Sequence, residues 1–311
     1  MGSIIIEVDA LRREFDETLA VDGVSFSVEE GAVFALVGPN GAGKTTLMRM
    51  LAALLEPSSG TARINGMDIR EQPRAVHSLL GFLPDFYGLY DELAICEYLR
   101  FFYHAYRLPR EMIGRRIEEI QAHVGLEGYG DRQIGTLSRG MRQKLSLARA
   151  ILHDPKILLL DEPAGGLDLE SREEMQALLK GLARTGKTII VSSHILSELE
   201  DYCSHVAMMD QGRLLFAGSL TDARRRLPAG RRFRLRAAAG VERAVLQLEA
   251  QGGVSHVERH GSDVVFEFDG DQPAVAEVVK ALVGAGVSLT HFSEAAGTIQ
   301  DSYNALMKGS R

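Results

Sequence analysis

The sequence predicts a parallel α/β core followed by a smaller α+β domain, and three observations carry that prediction. A continuous apolar run, Val33 to Val37, leads straight into the glycine-rich stretch Gly38-Pro39-Asn40-Gly41-Ala42-Gly43-Lys44-Thr45 and then into helix-forming residues. Two more apolar runs, Ile157 to Leu160 and Thr188 to Ser192, alternate with helical segments, as in strands covered on both faces by helices. Past Pro228 the style changes to half-exposed strands between amphipathic helices.

Element by element, Ile4 to Val8 and Val24 to Val28 alternate as early strands, and Val33 to Val37 is a buried one. Thr46 to Leu55 has helical spacing, and the stretch from Glu92 to Leu126 reads as helical, with Pro109 starting a new helix. Ser138 suits the cap of a helix through Ile151, with Met141, Leu145, Ala148 and Leu152 on one face, and Asp154-Pro155 ends it. Glu170 to Ala183 reads as a helix between the strands Ile157 to Leu160 and Thr188 to Ser192.

After the arginine-rich stretch Arg224 to Arg232, read as a solvated linker rather than a binding patch, the segments change order. A strand at Phe233 and Leu235, a helix at Val241 to Ala250, strands at Val254 to Val257 and Val264 to Phe268, a helix at Ala274 to Val283 and a strand at Val287 to Phe292 follow. Thr298 with Asp301 suits a capping box for a last helix to Met307. The order βαββαβ is that of a ferredoxin-like split unit. The domains are expected at 1–222 and 230–308.

The chain has 311 residues, 45% of them hydrophobic and 25% charged, which is ordinary for a globular protein of more than one domain. A net charge of -7 gives no general attraction to nucleic acid. Cys96 and Cys203 match no metal spacing and suit a reducing compartment. No signal peptide and no membrane-spanning run is evident, so a cytoplasmic protein is expected, with any membrane part supplied by another chain.

Residues 38–45 fit G-x-x-x-x-G-K-[ST] completely. Glycines let successive N–H groups face phosphate oxygens, and the following helix N-terminus adds its partial positive charge. Lys44 is expected to reach the β- and γ-phosphates, and the Thr45 hydroxyl to bind Mg²⁺. The run Ile157 to Leu160 ends in Asp161 and Glu162, at the sheet edge where α/β folds bind ligands. Asp161 suits the Mg²⁺ shell through water, and Glu162 suits a general base that polarises an attacking water. A plain turn and a strand end with solvated acids are the alternatives, and their occurrence together argues against both.

With these residues in place the chain resembles the ATPase subunits of ABC transporters, over residues 1–220. The resemblance implies a P-loop NTPase core with antiparallel β and helical subdomains, binding ATP and Mg²⁺ along Gly38 to Thr46. Leu137-Ser138-Arg139-Gly140-Met141 is similar to the family's signature motif, and Ala164 to Asp168 is similar to the loop after the catalytic glutamate. His194 stands where the family has its switch histidine, Phe15 where an aromatic stacks on adenine, and Gly81 to Asp85 resembles the segment that supplies a metal-side glutamine.

Carried over, Glu162 and His194 are catalytic. Phe15, Ser138, Gly140 and Asp168 contact nucleotide, and Thr45, Asp85 and Asp161 serve the metal. A head-to-tail homodimer is implied, each phosphate loop facing the partner's Ser138 and Gly140. The chain departs from the family pattern in Asp85 for glutamine, Arg139 for glycine and Met141 for glutamine.

The signature variant and the run after it resemble the ABC-2 type export branch, with the C-terminal addition near Ile299 to Tyr303 similar to drug-resistance ATPases. That implies export through a separate multi-span permease, with the chain peripheral on the inner face of the cell membrane. The C-terminal domain reads as packing or dimer support ahead of ligand sensing. The aromatic stretch Tyr98 to Tyr106 reads mostly as core, with some rings left for a permease helix. The competing reading is a soluble ABC-type ATPase acting on ribosome or DNA. It is disfavoured by the single phosphate loop, the short Thr46 to Leu137 segment and the acidic balance. A small-molecule kinase would leave the signature motif and Asp168 unexplained.

Overall fold

The computed structural model describes residues 2–85, 88–195, 199–225 and 231–294. It divides into two compact units, Met1–Leu220 and Thr221–Arg311.

The first unit opens with a long antiparallel hairpin, β1 (Ile4–Phe15) and β2 (Thr18–Glu29). β3 (Val33–Val37) is buried along its whole length and feeds the glycine-rich loop, which turns into α1 (Lys44–Leu51). α1 begins earlier and stops sooner than the sequence spacing predicts, because Ala53 takes a left-handed φ of 53° and Pro57 follows closely. β4 (Ser59–Ile64) and β5 (Met67–Asp68) return to the first hairpin, giving a four-stranded antiparallel sheet in the order β2-β1-β4-β5. α2 (Pro73–Leu79) then leads into β6 (Leu80–Leu83).

The expected helical stretch from Glu92 is two helices, α3 (Ile95–Ala105) and α4 (Ile113–His123). Arg107, at φ 57°, breaks them apart, and the buried Tyr103 hydroxyl donates to the Pro109 carbonyl at 2.7 Å to hold the bend. Pro109 opens a single 3-10 turn, Arg110–Met112, ahead of α4. α5 (Arg139–Ile151) starts where the sequence places it, because the Ser138 hydroxyl accepts the Met141 N–H at 3.2 Å.

β7 (Ile157–Leu160), α6 (Leu169–Ala183), β8 (Thr188–Ser193), β9 (His205–Asp210) and β10 (Arg213–Ser219) complete the first unit, and α7 (Leu220–Arg225) begins at its last residue. The second sheet has six strands in the order β10-β9-β3-β8-β7-β6, parallel except for the β9–β10 hairpin. Phe34, Leu36, Leu47, Met48, Leu159 and Ile190 share one buried cluster that binds the two sheets and α1. Val37 pairs with Ser193 and Leu160 with Val191, so the phosphate loop, Asp161-Glu162 and His194 all leave the same edge of the sheet.

The second unit, taken by itself, contains β11 (Arg231–Ala239), α8 (Val241–Glu249), β12 (Val254–His260), β13 (Asp263–Phe268), α9 (Gln272–Gly284) and β14 (Ser288–Glu294). Its antiparallel sheet runs β12-β13-β11-β14, the arrangement of a split βαβ unit, over a core of Phe233, Leu235, Leu248, Phe266 and Leu282. The Asp271 carboxylate caps α9 through the Ala274 N–H at 3.0 Å. The helix expected around Thr298 to Met307 and the segment Ile299 to Tyr303 lie outside the described residues.

Candidate active site

A cleft of about 470 Å³ opens over the phosphate loop, lined among others by Phe15, Leu19, Asn40 to Thr46, Asp85 and Glu162. The loop's shape is dictated by its glycines. A Cβ on Gly38 would collide with the Met209 carbonyl oxygen and come within 2.9 Å of the Ala42 Cβ, so β9 permits no side chain there. Gly43 has φ 95°, a Cβ there would collide with the Ala20 carbonyl, and it is the residue from which α1 starts. Pro39 and Ala42 complete the turn through the Ala42 N–H to Pro39 carbonyl bond at 3.1 Å.

Lys44 is nearly buried at 6% exposure. Its ammonium donates to the carbonyls of Gly38 at 2.7 Å and Pro39 at 3.3 Å and lies 3.4 Å from Glu162 Oε1. The other Glu162 oxygen, Oε2, is 2.9 Å from His194 Nδ1. Glu162 therefore bridges the phosphate-loop lysine and the histidine at the end of β8. It does so from a left-handed backbone, φ 46°, a conformation costing of order 1 kcal/mol for a residue with a side chain. The strain turns its side chain from the strand direction into the cleft.

Asp161 is wholly buried, and its Oδ1 accepts the Ser192 hydroxyl at 2.6 Å, while that same hydroxyl oxygen accepts the Glu162 N–H at 2.9 Å. Among the described residues, Asp161 Oδ2 has no hydrogen-bond partner. A buried carboxylate oxygen left open beside a phosphate loop suits a hard cation. No three His, Cys, Asp or Glu side chains are grouped as a metal cage among the described residues. An ion here would thus depend on nucleotide phosphates and water as much as on Asp161, the usual habit of Mg²⁺. Ser192 is a site residue that the sequence reading passed over. Its signal was available, since a polar residue closes the apolar strand beside the one that ends in Asp161.

Asp85 lies on the cleft with Glu162. Burial first, then the neighbouring carboxylates Asp161 and Glu162, push its carboxyl above the usual range, and Arg139 and Lys44 pull the other way. The structure thus brings Asp85 to the acidic side of the site. Phe15 is half open at 39% exposure, with the Arg13 guanidinium 4.4 Å from its ring centre.

Ser138, Gly140 and Asp168 are not among the residues lining this cleft. Ser138 caps α5, and Asp168 caps α6 through the Ser171 N–H at 2.8 Å, which holds its carboxyl below the usual range. Gly140 faces α6, where a Cβ would come within 2.5 Å of Ser171 Oγ. A side chain here would force Ser171 to shift, a packing reason for glycine that the sequence did not supply.

The family model described as ABC transporter matches residues 21–165, which include Lys44, Asp85, Ser138, Asp161 and Glu162. The ABC transporter ATP-binding protein NatA of Bacillus subtilis is 43% identical over 202 residues, 65% of this chain and 82% of NatA. The Nod factor export ATP-binding protein I of Ralstonia nicotianae is 36% identical over 214 residues, 69% of this chain and 67% of that protein. Among solved structures, an ATP-binding subunit of an ABC transporter superposes with a TM-score of 0.65 at 31% identity, covering 71% of this chain and 92% of that one. A phosphate loop, a strand-end aspartate-glutamate pair and a fold shared with such relatives place the chain in the family of ABC transporter ATP-binding proteins, which are ATPases coupled to transport.

Proposed function

We propose that the chain is the motor subunit of an exporter. In this reading it hydrolyses ATP with Mg²⁺ in a head-to-tail homodimer and drives a separate multi-span permease at the inner face of the cell membrane. The observation that carries the hydrolytic part is Glu162, held between Lys44 at 3.4 Å and His194 at 2.9 Å beside the open Asp161 oxygen. The dimeric part draws support from Ser138, Gly140 and Asp168, which lie off the cleft of their own chain. The export part draws support from the Nod factor export relative. No helix among the described residues is long and apolar enough to cross a membrane, so a permease would be another chain or another segment.

The mechanism follows from the contacts. An arriving triphosphate competes with the Gly38 and Pro39 carbonyls and with Glu162 for the Lys44 ammonium. The loop N–H groups and the α1 N-terminus supply the remaining positive field, and Phe15 offers a ring to the base. Thr45 and Asp161, with water, would hold Mg²⁺, which would supply positive charge against the phosphates. Glu162, released from Lys44, accepts a proton from the attacking water as its oxygen bonds the γ-phosphorus and the bond to the ADP oxygen breaks. His194, hydrogen-bonded to Glu162 Oε2, would hold the γ-phosphate, and the partner's signature serine and glycine would close the far side.

The test is steady-state phosphate release by wild type and Glu162→Gln, with gel filtration of the variant in MgATP. Hydrolysis lost and a dimer retained on ATP support the reading. Equal rates would remove Glu162 from the chemistry, and a monomer at saturating ATP would remove the shared site.

A further inference from the structure

Arg139 stands where the resemblance leads one to expect glycine, and its side chain has a defined destination. The guanidinium Nη2 donates to the Gly165 carbonyl at 3.2 Å. The Gly165 N–H in turn donates to the Glu162 carbonyl at 2.9 Å. The guanidinium also lies flat against Gly166, where a Cβ would come within 2.6 Å of Arg139 Cζ. Gly166 itself has φ 65°, a conformation that favours glycine, and a side chain there would have to displace the guanidinium.

Two hydrogen bonds therefore link the first residue of α5, through the backbone of Gly165, to the carbonyl of Glu162. At its far end Glu162 sits in a left-handed conformation, pinned on its N–H side by Ser192. A strained residue keeps its geometry only while its surroundings hold it from both sides. Ser192 holds one side, and the Gly165 turn, braced by Arg139, holds the other. Among the described residues, the side-chain hydrogen bonds of the 137–141 segment reach this turn through Arg139. Ser138 is spent on capping, and Gly140 packs on Ser171.

We infer that Arg139 is a positioning residue for Glu162, acting through the Gly165–Gly166 turn and tying the start of α5 to the glutamate that serves hydrolysis. The inference rests on the reading of Glu162 as general base. Arg139 is exposed, so its removal should leave the fold standing. Its effect should appear in turnover, since small misplacement of a reacting group costs roughly ten- to a hundredfold in rate.

The experiment compares wild type, Glu162→Gln, Arg139→Ala and Arg139→Lys for kcat and KM in ATP hydrolysis, with melting temperature alongside. Expected is a kcat for Arg139→Ala lower by roughly tenfold at unchanged KM and melting temperature. Lysine, a single donor in place of the fork, should recover part of it. A double-mutant cycle with Gly166→Ala adds a geometric readout. The backbone strain of that alanine is common to both backgrounds, but its collision with the guanidinium is absent from Arg139→Ala, so the fold-loss from Gly166→Ala should be smaller there. An active wild type, a dead Glu162→Gln and an Arg139→Ala at wild-type kcat would overturn the inference and leave the hydrolytic reading standing. So would a lysine variant no better than alanine, or kcat and KM shifting together. A wild type that does not hydrolyse ATP, or a Glu162→Gln that matches it, would overturn both.

Discussion

Ser192→Ala is the most informative single change the structure offers. Ser192 and Asp161 are both fully buried, and the serine hydroxyl sits between the Asp161 carboxylate, to which it donates at 2.6 Å, and the Glu162 N–H, which it accepts at 2.9 Å. Removing it takes one hydrogen bond from a charged group, worth about 1.5–3 kcal/mol, and one from a backbone N–H, worth about 0.5–1.5 kcal/mol. The hole left by one oxygen is smaller than a water molecule, so solvent cannot restore either bond. The summed loss is roughly 2–4 kcal/mol, and with about 2–4 °C per kcal/mol for a domain of this size a 3 kcal/mol loss lowers the melting point by roughly 6–12 °C. Urea and thermal unfolding without nucleotide measure it directly. Turnover should fall as well, because the N–H side of the strained Glu162 is no longer held. A variant within about 0.5 kcal/mol of wild type would refute the reasoning, and with it the claim that this hydroxyl organises the two acids.

Other perturbations follow from the same contacts. Lys44→Ala should abolish the stabilisation by MgATP, which at a hundredfold excess over Kd amounts to about 2.7 kcal/mol for the wild type in thermal shift. Gly140→Ala should destabilise by about 1–3 kcal/mol in urea, because its Cβ meets Ser171 Oγ at 2.5 Å, and Ser171→Gly in the same chain should recover most of the loss. His153 donates its Nε2–H to the Leu80 carbonyl, 3.0 Å away, and burial lowers its pKa. A histidine whose folded pKa is depressed prefers to stay neutral in the native state. Its contribution is complete above about pH 6.5, the unfolded value, and is lost as pH falls through the lower folded value. The melting point of wild type should therefore drop more steeply between pH 7 and 5 than that of His153→Gln, whose amide can still reach Leu80.

The fold was legible wherever one residue pattern admitted one structure. Val33 to Val37 and Ile157 to Leu160 are continuous apolar runs, and both are strands buried along their whole length. Ser138 announced its helix because a hydroxyl before an amphipathic run has little else to do. The ends were less legible where backbone conformation decided them. Nothing in its side chain marks Ala53 for a left-handed φ, yet that residue ends α1. The break between α3 and α4 likewise depends on a tertiary bond from Tyr103 to Pro109 that no local pattern records. β4 and β10 went unread for a related reason. Both are part-buried and antiparallel; β4 pairs with the distant β1, whereas β10 folds back on the adjacent β9.

For the site, sequence order conveyed which residues gather at the sheet edge, because parallel strands deliver their ends together. It could not convey how those residues occupy themselves before a nucleotide arrives. Lys44 is engaged by two loop carbonyls and by Glu162, and Glu162 by Lys44 and His194. The group proposed to take a proton is thus held by the group proposed to take the phosphate. On the proposed mechanism, binding of the triphosphate would draw Lys44 away and leave Glu162 with His194 alone, so the base would be freed by the event that supplies its substrate. Meanwhile Asp161 is wholly buried and, among the described residues, its Oδ2 has no hydrogen-bond partner. A site tuned only for stability would pair that oxygen and relax Glu162 from its left-handed backbone. Both features lie at the atoms that the proposed reaction uses, which is where strain that serves a function is expected to gather.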